Sequence, residues 1–114
     1  MLMNIYFKDS KIEKAMNNER ESIKTWGPDN ARKIRTRMSE LHAADNLSQL
    51  SHVPPSRLHA LTGNRKDQFS ITVKEPFRII FEALNDPVPR LLDGGIDKTR
   101  ITEIMIIEVV NYHG

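Results

Sequence analysis

Gln68-Phe69-Ser70-Ile71-Thr72-Val73-Lys74 and Phe77-Arg78-Ile79-Ile80-Phe81-Glu82-Ala83-Leu84 lie on either side of a short stretch that contains Pro76. In each run the apolar residues recur every second position, the period of a half-buried strand. Phe69, Ile71 and Val73 fall on one face of the first run. Phe77, Ile79 and Phe81 fall on one face of the second, leaving Arg78 and Ile80 on the other. Two such runs joined by a tight turn predict an antiparallel hairpin with one face on a core.

Downstream, Ile101–Val110 is apolar on both faces, with Ile101, Met105, Ile107 and Val109 set against Ile104, Ile106 and Val110. That pattern predicts an interior strand. Between it and the hairpin, residues 85–98 carry Pro87, Pro89, Gly94 and Gly95 and read as a long loop, which is often functional in a small domain. Upstream, Arg57–Leu61 reads as a short strand and Thr62–Asp67 as a polar turn. Val53-Pro54-Pro55-Ser56 is extended or turn-like, because proline restricts itself and its predecessor.

Nearer the N-terminus the period changes to that of a helix. After a short strand, Asn4–Phe7, Ser10 and Glu13 have capping-box spacing, and a helix is expected from Ser10 to Trp26, with a break near Asn17-Asn18. Gly27-Pro28 stops it and starts a second helix, in which Ala31, Ile34, Met38 and Leu41 recur at helical spacing. Arg32, Lys33, Arg35 and Arg37 are assigned mostly to its other side. This helix should end near Ala44–Asp45, with Leu47–Leu50 as one more turn. Two N-terminal helices on a twisted, mostly antiparallel sheet make an α+β fold.

The chain has 114 residues, which suits one domain spanning 1–114. With no cysteine it can hold neither a disulfide nor a thiolate metal site, and nothing in it reads as a signal peptide or membrane span, so a cytoplasmic protein is expected. The formal net charge is only +2, but the basic excess is local: nine basic residues against five acidic from Lys8 to Arg37, and five against two from Arg57 to Arg78. Either segment could meet a polyanion, and either could simply be a solvated face.

No phosphate loop, HExxH, GxSxG or EF-hand pattern is present, and the four histidines have no metal-ligand spacing, so neither metal nor cofactor is expected. What the sheet could gather is His59, Arg65, Lys66, Arg78, Tyr112 and His113. Cleaving an RNA phosphodiester requires a base for the 2′-OH, an acid for the leaving 5′-oxygen and cations for the phosphorane charge, and these are suitable residue types. Each also has a structural reading. His59 can be a hydrogen-bonded strand residue, Arg78 can pair with Glu82 or Glu108, Tyr112 can cap the core, His113 can fray, and Arg65 and Lys66 can be ordinary turn residues.

Arg57-Leu58-His59-Ala60-Leu61-Thr62-Gly63-Asn64-Arg65-Lys66-Asp67-Gln68-Phe69-Ser70-Ile71, followed by Phe77-Arg78-Ile79-Ile80-Phe81, resembles the central signature of HigB-type toxins, the plasmid-maintenance-killer branch of the RelE superfamily. Val110-Asn111-Tyr112-His113 resembles that branch's terminus. Residues 85–97 resemble a subgroup with an extended last hairpin, and Gly27-Pro28 with the helix after it fits the same subgroup.

The resemblance implies a RelE-like fold and a ribosome-dependent mRNA endonuclease, with no metal, that leaves a 2′,3′-cyclic phosphate. It implies as partners the ribosome with its mRNA and a helix-turn-helix, HigA-like antitoxin, with operator DNA reached only through that antitoxin. By position, His59 would orient substrate or stabilise charge and Arg78 would hold the scissile phosphate. His113 would transfer a proton, with Tyr112 positioning or stacking on a base. Arg32, Lys33, Arg35 and Arg37 would lie on ribosomal RNA, and the 85–98 loop on the antitoxin or the ribosome.

The chain departs from the family pattern at Thr62, where a lysine is usual, at Asn64 and Asp67, where aspartate and glycine are usual, and at Asn111, where the terminal trio has an acid. Arg65 or Lys66 is a candidate replacement for the lysine. These departures leave open a second reading, a catalytically reduced module that binds antitoxin or ribosome without cutting. The superfamily's gyrase-poisoning branch ranks last, since it lacks the histidine and the terminal Tyr-His.

Overall fold

The computed structural model describes residues 2–65 and 67–111. In chain order the elements are β1 (Asn4–Phe7), α1 (Ser10–Asn17), α2 (Glu19–Trp26), α3 (Pro28–Ala43), β2 (His59–Ala60), β3 (Gln68–Thr72), β4 (Phe77–Ala83) and β5 (Glu103–Asn111). The strands form one sheet in the order β1-β5-β4-β3-β2. β1 runs parallel to β5 and every other pair is antiparallel. This is the expected α+β arrangement, with three helices where two were expected.

The extra helix comes from Asn18. Its extended backbone ends α1 by donating its N–H to Lys14, and its side chain caps α2 by accepting the Glu21 N–H at 3.1 Å. The start of α1 also differs from the capping-box reading, because the cap is Asp9, which accepts from Ile12 N at 2.9 Å. Gly27 both closes α2 and opens α3 at a φ of 85°, a left-handed conformation that suits glycine.

The core lies between α3 and one face of the sheet. Ala31, Ile34, Met38 and Leu41 are buried on α3, as their spacing predicted. Ile34, Met38 and Leu41 cluster with Phe69, Ile71, Ile79, Phe81, Ile104 and Ile106 from the sheet. Phe69 stacks on Phe81 with ring centroids 5.7 Å apart.

The hairpin register matches the alternation: Phe69 faces Phe81, Ser70 faces Ile80 and Ile71 faces Ile79. β2 is shorter than expected. Arg57 adopts a φ of 48°, which breaks the extended chain and leaves only His59 and Ala60 paired with β3.

In β5 the face assignment changes partway along. Phe81 faces Ile106 but Ile80 faces Glu108, so Ile107 is an extra residue at a β-bulge. Beyond the bulge Val109 joins the core side opposite Ile79, and Val110 comes opposite Arg78, the reverse of the simple alternation. The stretch before β5 is not featureless either. Arg90 and Ile96 form a bridge, with Leu91 N and Asp97 N bonded to Gly95 O and Pro89 O. No helix among the described residues is long and apolar enough to cross a membrane.

One basic residue of α3 is inside. Arg37 is 7% exposed; its Nε donates to Thr72 O at 2.9 Å and its Nη1 to Glu40 Oε1 at 2.8 Å. Ser56 Oγ donates to the same Glu40 oxygen, and Thr72 N donates to Ser56 O. The guanidinium thus joins α3 to the end of β3 and to the loop before β2. It sits on the stripe continuing Ile34 and Leu41, which corrects its assignment to the RNA-facing side. Removing it strands a buried carbonyl and half of a partly buried ion pair, so Arg37→Ala should lower unfolding free energy by about 2–4 kcal/mol. A urea midpoint equal to wild type would contradict this role.

Asp29, at the start of α3, accepts from Lys74 of the β3–β4 turn and from Arg32. The Lys74 hydrogen bond, then the one from Arg32, holds its carboxyl below the ordinary carboxylate range. A depressed carboxylate pKa contributes stability above the unfolded-state value and loses it as pH falls through the folded-state value. Wild type should therefore be more stable than Asp29→Asn near neutrality, and the two should converge as acid titrates this group. Parallel pH–stability curves would sink that expectation.

Candidate functional site

The helices cover one face of the sheet, and the chemistry-bearing side chains sit on the other. His59 on β2 pairs with Ser70, Ser70 with Ile80, and Ile80 with Glu108, so these four share one rung of the open face. The next rung is Thr72, Arg78 and Val110. His59 and Arg78, far apart in sequence, are thereby placed on neighbouring rungs of one surface, as the alternation required.

Their surroundings differ. His59 is exposed at the sheet edge, whereas Arg78 is interior, with its side chain 18% exposed and its Nη2 3.5 Å from Glu75 Oε1. Sequence reasoning offered Glu82 or Glu108 as partners for Arg78, and the structure gives Glu75 instead.

Glu108 belongs to Arg65. From the turn after β2, Arg65 reaches across β3 and β4, donating Nη1 to Gln68 Oε1 at 3.1 Å and Nη2 to Glu108 Oε1 at 2.9 Å. Ile80 is fully buried on the rung this side chain crosses. A turn residue is thus laid over the sheet, which the turn assignment alone did not convey. Thr62, where the family usually has lysine, is exposed. Asn111 pairs with Phe77, on the parity opposite to Arg78. Lys66, Tyr112 and His113 lie outside the described residues.

The basic helix face is separate from this surface. Arg32 pairs with Asp29, Arg35 with Glu19 at 3.5 Å, and Lys33 is half-buried. They sit on the helix layer, across the sheet from His59 and Arg78.

Sequence reasoning offered Glu108 only as a partner for Arg78, and its bond to Arg65 on this face is the feature that was missed. The signal was present: a glutamate at the same parity as Ile104 and Ile106 would enter the core unless the strand bulged.

Beside the open face, the tip formed by Arg90–Ile96 docks on the β2–β3 turn. Arg90 makes a bidentate pair with Asp67, 2.9 and 2.8 Å, and the Asp67 hydrogen bond raises the Arg90 pKa above its usual value. Asp67 has a φ of 72°, which aspartate tolerates better than most side chains.

An α-helical layer on one side of a mixed five-stranded sheet is a fold shared with solved structures of the YoeB/ParE kind. A YoeB/ParE toxin from Agrobacterium tumefaciens superposes with a TM-score of 0.58 over 97% of this chain and 100% of its own, at 9% identity. Two Staphylococcus aureus structures, a YoeB–YefM complex and a YoeB dimer, give 0.55 and 0.54 over the whole of both chains at 13% and 14% identity. No curated protein sequence matches the chain.

The family model for the RelE-like toxin of the type II toxin-antitoxin system HigB matches residues 5–93, and the chain belongs to this HigB-like toxin family. The match includes His59, Arg65 and Arg78 and stops before β5.

The Arg90–Asp67 pair is open to solvent, so Asp67→Asn should change global stability only slightly. It should nevertheless speed hydrogen exchange at the Leu91 and Asp97 amides that close the tip. Unchanged exchange there would show that the tip does not depend on Asp67.

Proposed function

We propose that this toxin is an mRNA endonuclease acting on translating ribosomes, and that the open sheet face is its catalytic surface. The observation that carries the reading is the gathering of His59, Arg65 and Arg78 on that one face in a chain of the HigB-like family. In the reaction the 2′-OH of one nucleotide attacks the adjacent phosphate and the 5′-oxygen leaves, giving a 2′,3′-cyclic phosphate and a 5′-OH. The pentavalent intermediate gains negative charge, and prearranged cations stabilise it most where water is scarce.

Arg78, the more enclosed cation, holds the scissile phosphate. Arg65 supplies the second positive charge, the part usually given to the lysine that Thr62 replaces. His59 orients the substrate from the sheet edge. Proton transfer falls to His113, with Tyr112 placing a base.

The exposed cations of α3, Arg32 and Arg35, with half-buried Lys33 beside them, would rest on ribosomal RNA through phosphate contacts, which give affinity without sequence choice. Lys66 would add to the turn's charge. A helix-turn-helix antitoxin neutralises the toxin and carries it to operator DNA. One structural neighbour, the YoeB–YefM complex, holds a protein of this fold together with a second protein, which supports a partner of that general kind.

Two features favour a second reading, a binder that does not cut. Thr62 brings no charge, and Asn111 pairs with Phe77, away from the Arg78 side. Purified programmed ribosomes separate the two. Wild type should cut mRNA only when ribosomes are present, and Arg78→Ala and His113→Ala should each slow the cut by about 10²–10⁴-fold. Intact mRNA with toxin still bound to ribosomes would establish the binder, and undiminished cutting by both variants would move the site elsewhere.

A further inference from the structure

Arg65 carries five N–H donors in a planar fork. Two are engaged, one by Gln68 and one by Glu108, and the remaining three meet no described residue. Both anchors lie on the sheet, so the fork is held across the face and keeps donors for a further ligand. The Gln68 bond comes from three residues away and cannot by itself carry the side chain over β4, whereas the Glu108 bond can.

This ion pair adds little stability. Its side chains are 33% and 36% exposed, and ion pairs open to water are screened and weak. The bulge that puts the carboxylate here also leaves Ile107 out of the β4–β5 pairing. A carboxylate placed beside fully buried Ile80, paired with a cation that has donors to spare, is accounted for by where it puts that cation.

We propose that Glu108 is the positioning residue for Arg65. It fixes the guanidinium over the Ile80 rung, next to the rung of Arg78, so that both arginines face the same RNA phosphate. This rests on the nuclease reading and adds to it a residue on β5, outside the stretch that matches the family model. Glu108 acts through Arg65 and itself touches no substrate.

The test is a double-mutant cycle at positions 65 and 108, read by single-turnover cleavage on programmed ribosomes, with thermal unfolding as the check on folding. Arg65→Ala should slow cleavage by about 10²–10³-fold. Glu108→Ala should slow it by about tenfold to a hundredfold through misplacement of the fork, without weakening ribosome affinity. Glu108→Gln keeps an acceptor oxygen and should restore most of the rate. In the Arg65→Ala background, Glu108→Ala should cost nothing more.

Equal losses from Glu108→Ala with and without Arg65, or no loss in the wild-type background, would overturn the proposal. If the wild-type protein cuts nothing, the nuclease reading falls separately. The same cycle is then read on affinity for a short 2′-O-methyl RNA, where coupling between the two positions upholds the positioning role and additivity overturns it.

Discussion

β5 carries one residue more than β4 can pair with, and the open face depends on that surplus. Up to Ile106 the strand alternates with Ile104 and Ile106 inward, against Phe81 and the helices. Continuing the alternation would carry Glu108 to the Ile79 rung, where Ile79 is fully buried. An uncompensated carboxylate there would cost several kcal/mol. The extra residue, Ile107, moves Glu108 outward to the Ile80 rung and lets Val109 take the inward place. β1 ends at Phe7, opposite Ile106, so the bulge falls where β5 loses its parallel neighbour and is free to bend.

The helix layer imposes the complementary constraint. α3 can bury its apolar stripe against only one side of the sheet, which leaves the other side to chemistry. Arg37 lies on that stripe and is buried because its guanidinium finds Thr72 O and Glu40, a case of a charge that is tolerated inside once its donors are satisfied. The same network holds Ser56 and the end of β3, from which β4 and Arg78 follow after a short turn. Packing on the covered face thus sets the position of residues on the uncovered one.

How far the sequence revealed this can be seen at particular residues. The placement of His59, Ser70, Ile80 and Arg78 on one face follows from a period of two, which the hairpin obeys throughout, and α3's buried residues follow from a period near 3.6. The break at Asn18 was also visible, since asparagine can end one helix and cap another. Two features were harder to read. Charge alone put Arg37 outside, because what satisfies it is a carbonyl 35 residues away. The position of Glu108 depends on a bulge, and so on strand pairing that no local period encodes. The reach of Arg65 across two strands is a tertiary fact of the same kind, set by a partner 43 residues on.

The arginines share a pattern that bears on how such a face could engage RNA. Arg65, Arg78 and Arg90 on or beside the open face pair with Glu108, Glu75 and Asp67, while Arg32 and Arg35 on the helix layer pair with Asp29 and Glu19. The net charge stays at only +2 because acidic residues outside the two basic segments outnumber the basic ones there. The exposed ones among these ion pairs, such as those of Arg32 and Arg35, are weak, so a phosphate can compete for the cation at small cost. The competition is unequal. A loosely paired surface arginine can turn wholly to phosphate, whereas the Arg65 fork, with donors left over, can accept a phosphate while still bonded to Glu108. On the proposed reading, affinity would come from the outer arginines, which exchange partners, and placement from Arg65, which keeps its bond to Glu108.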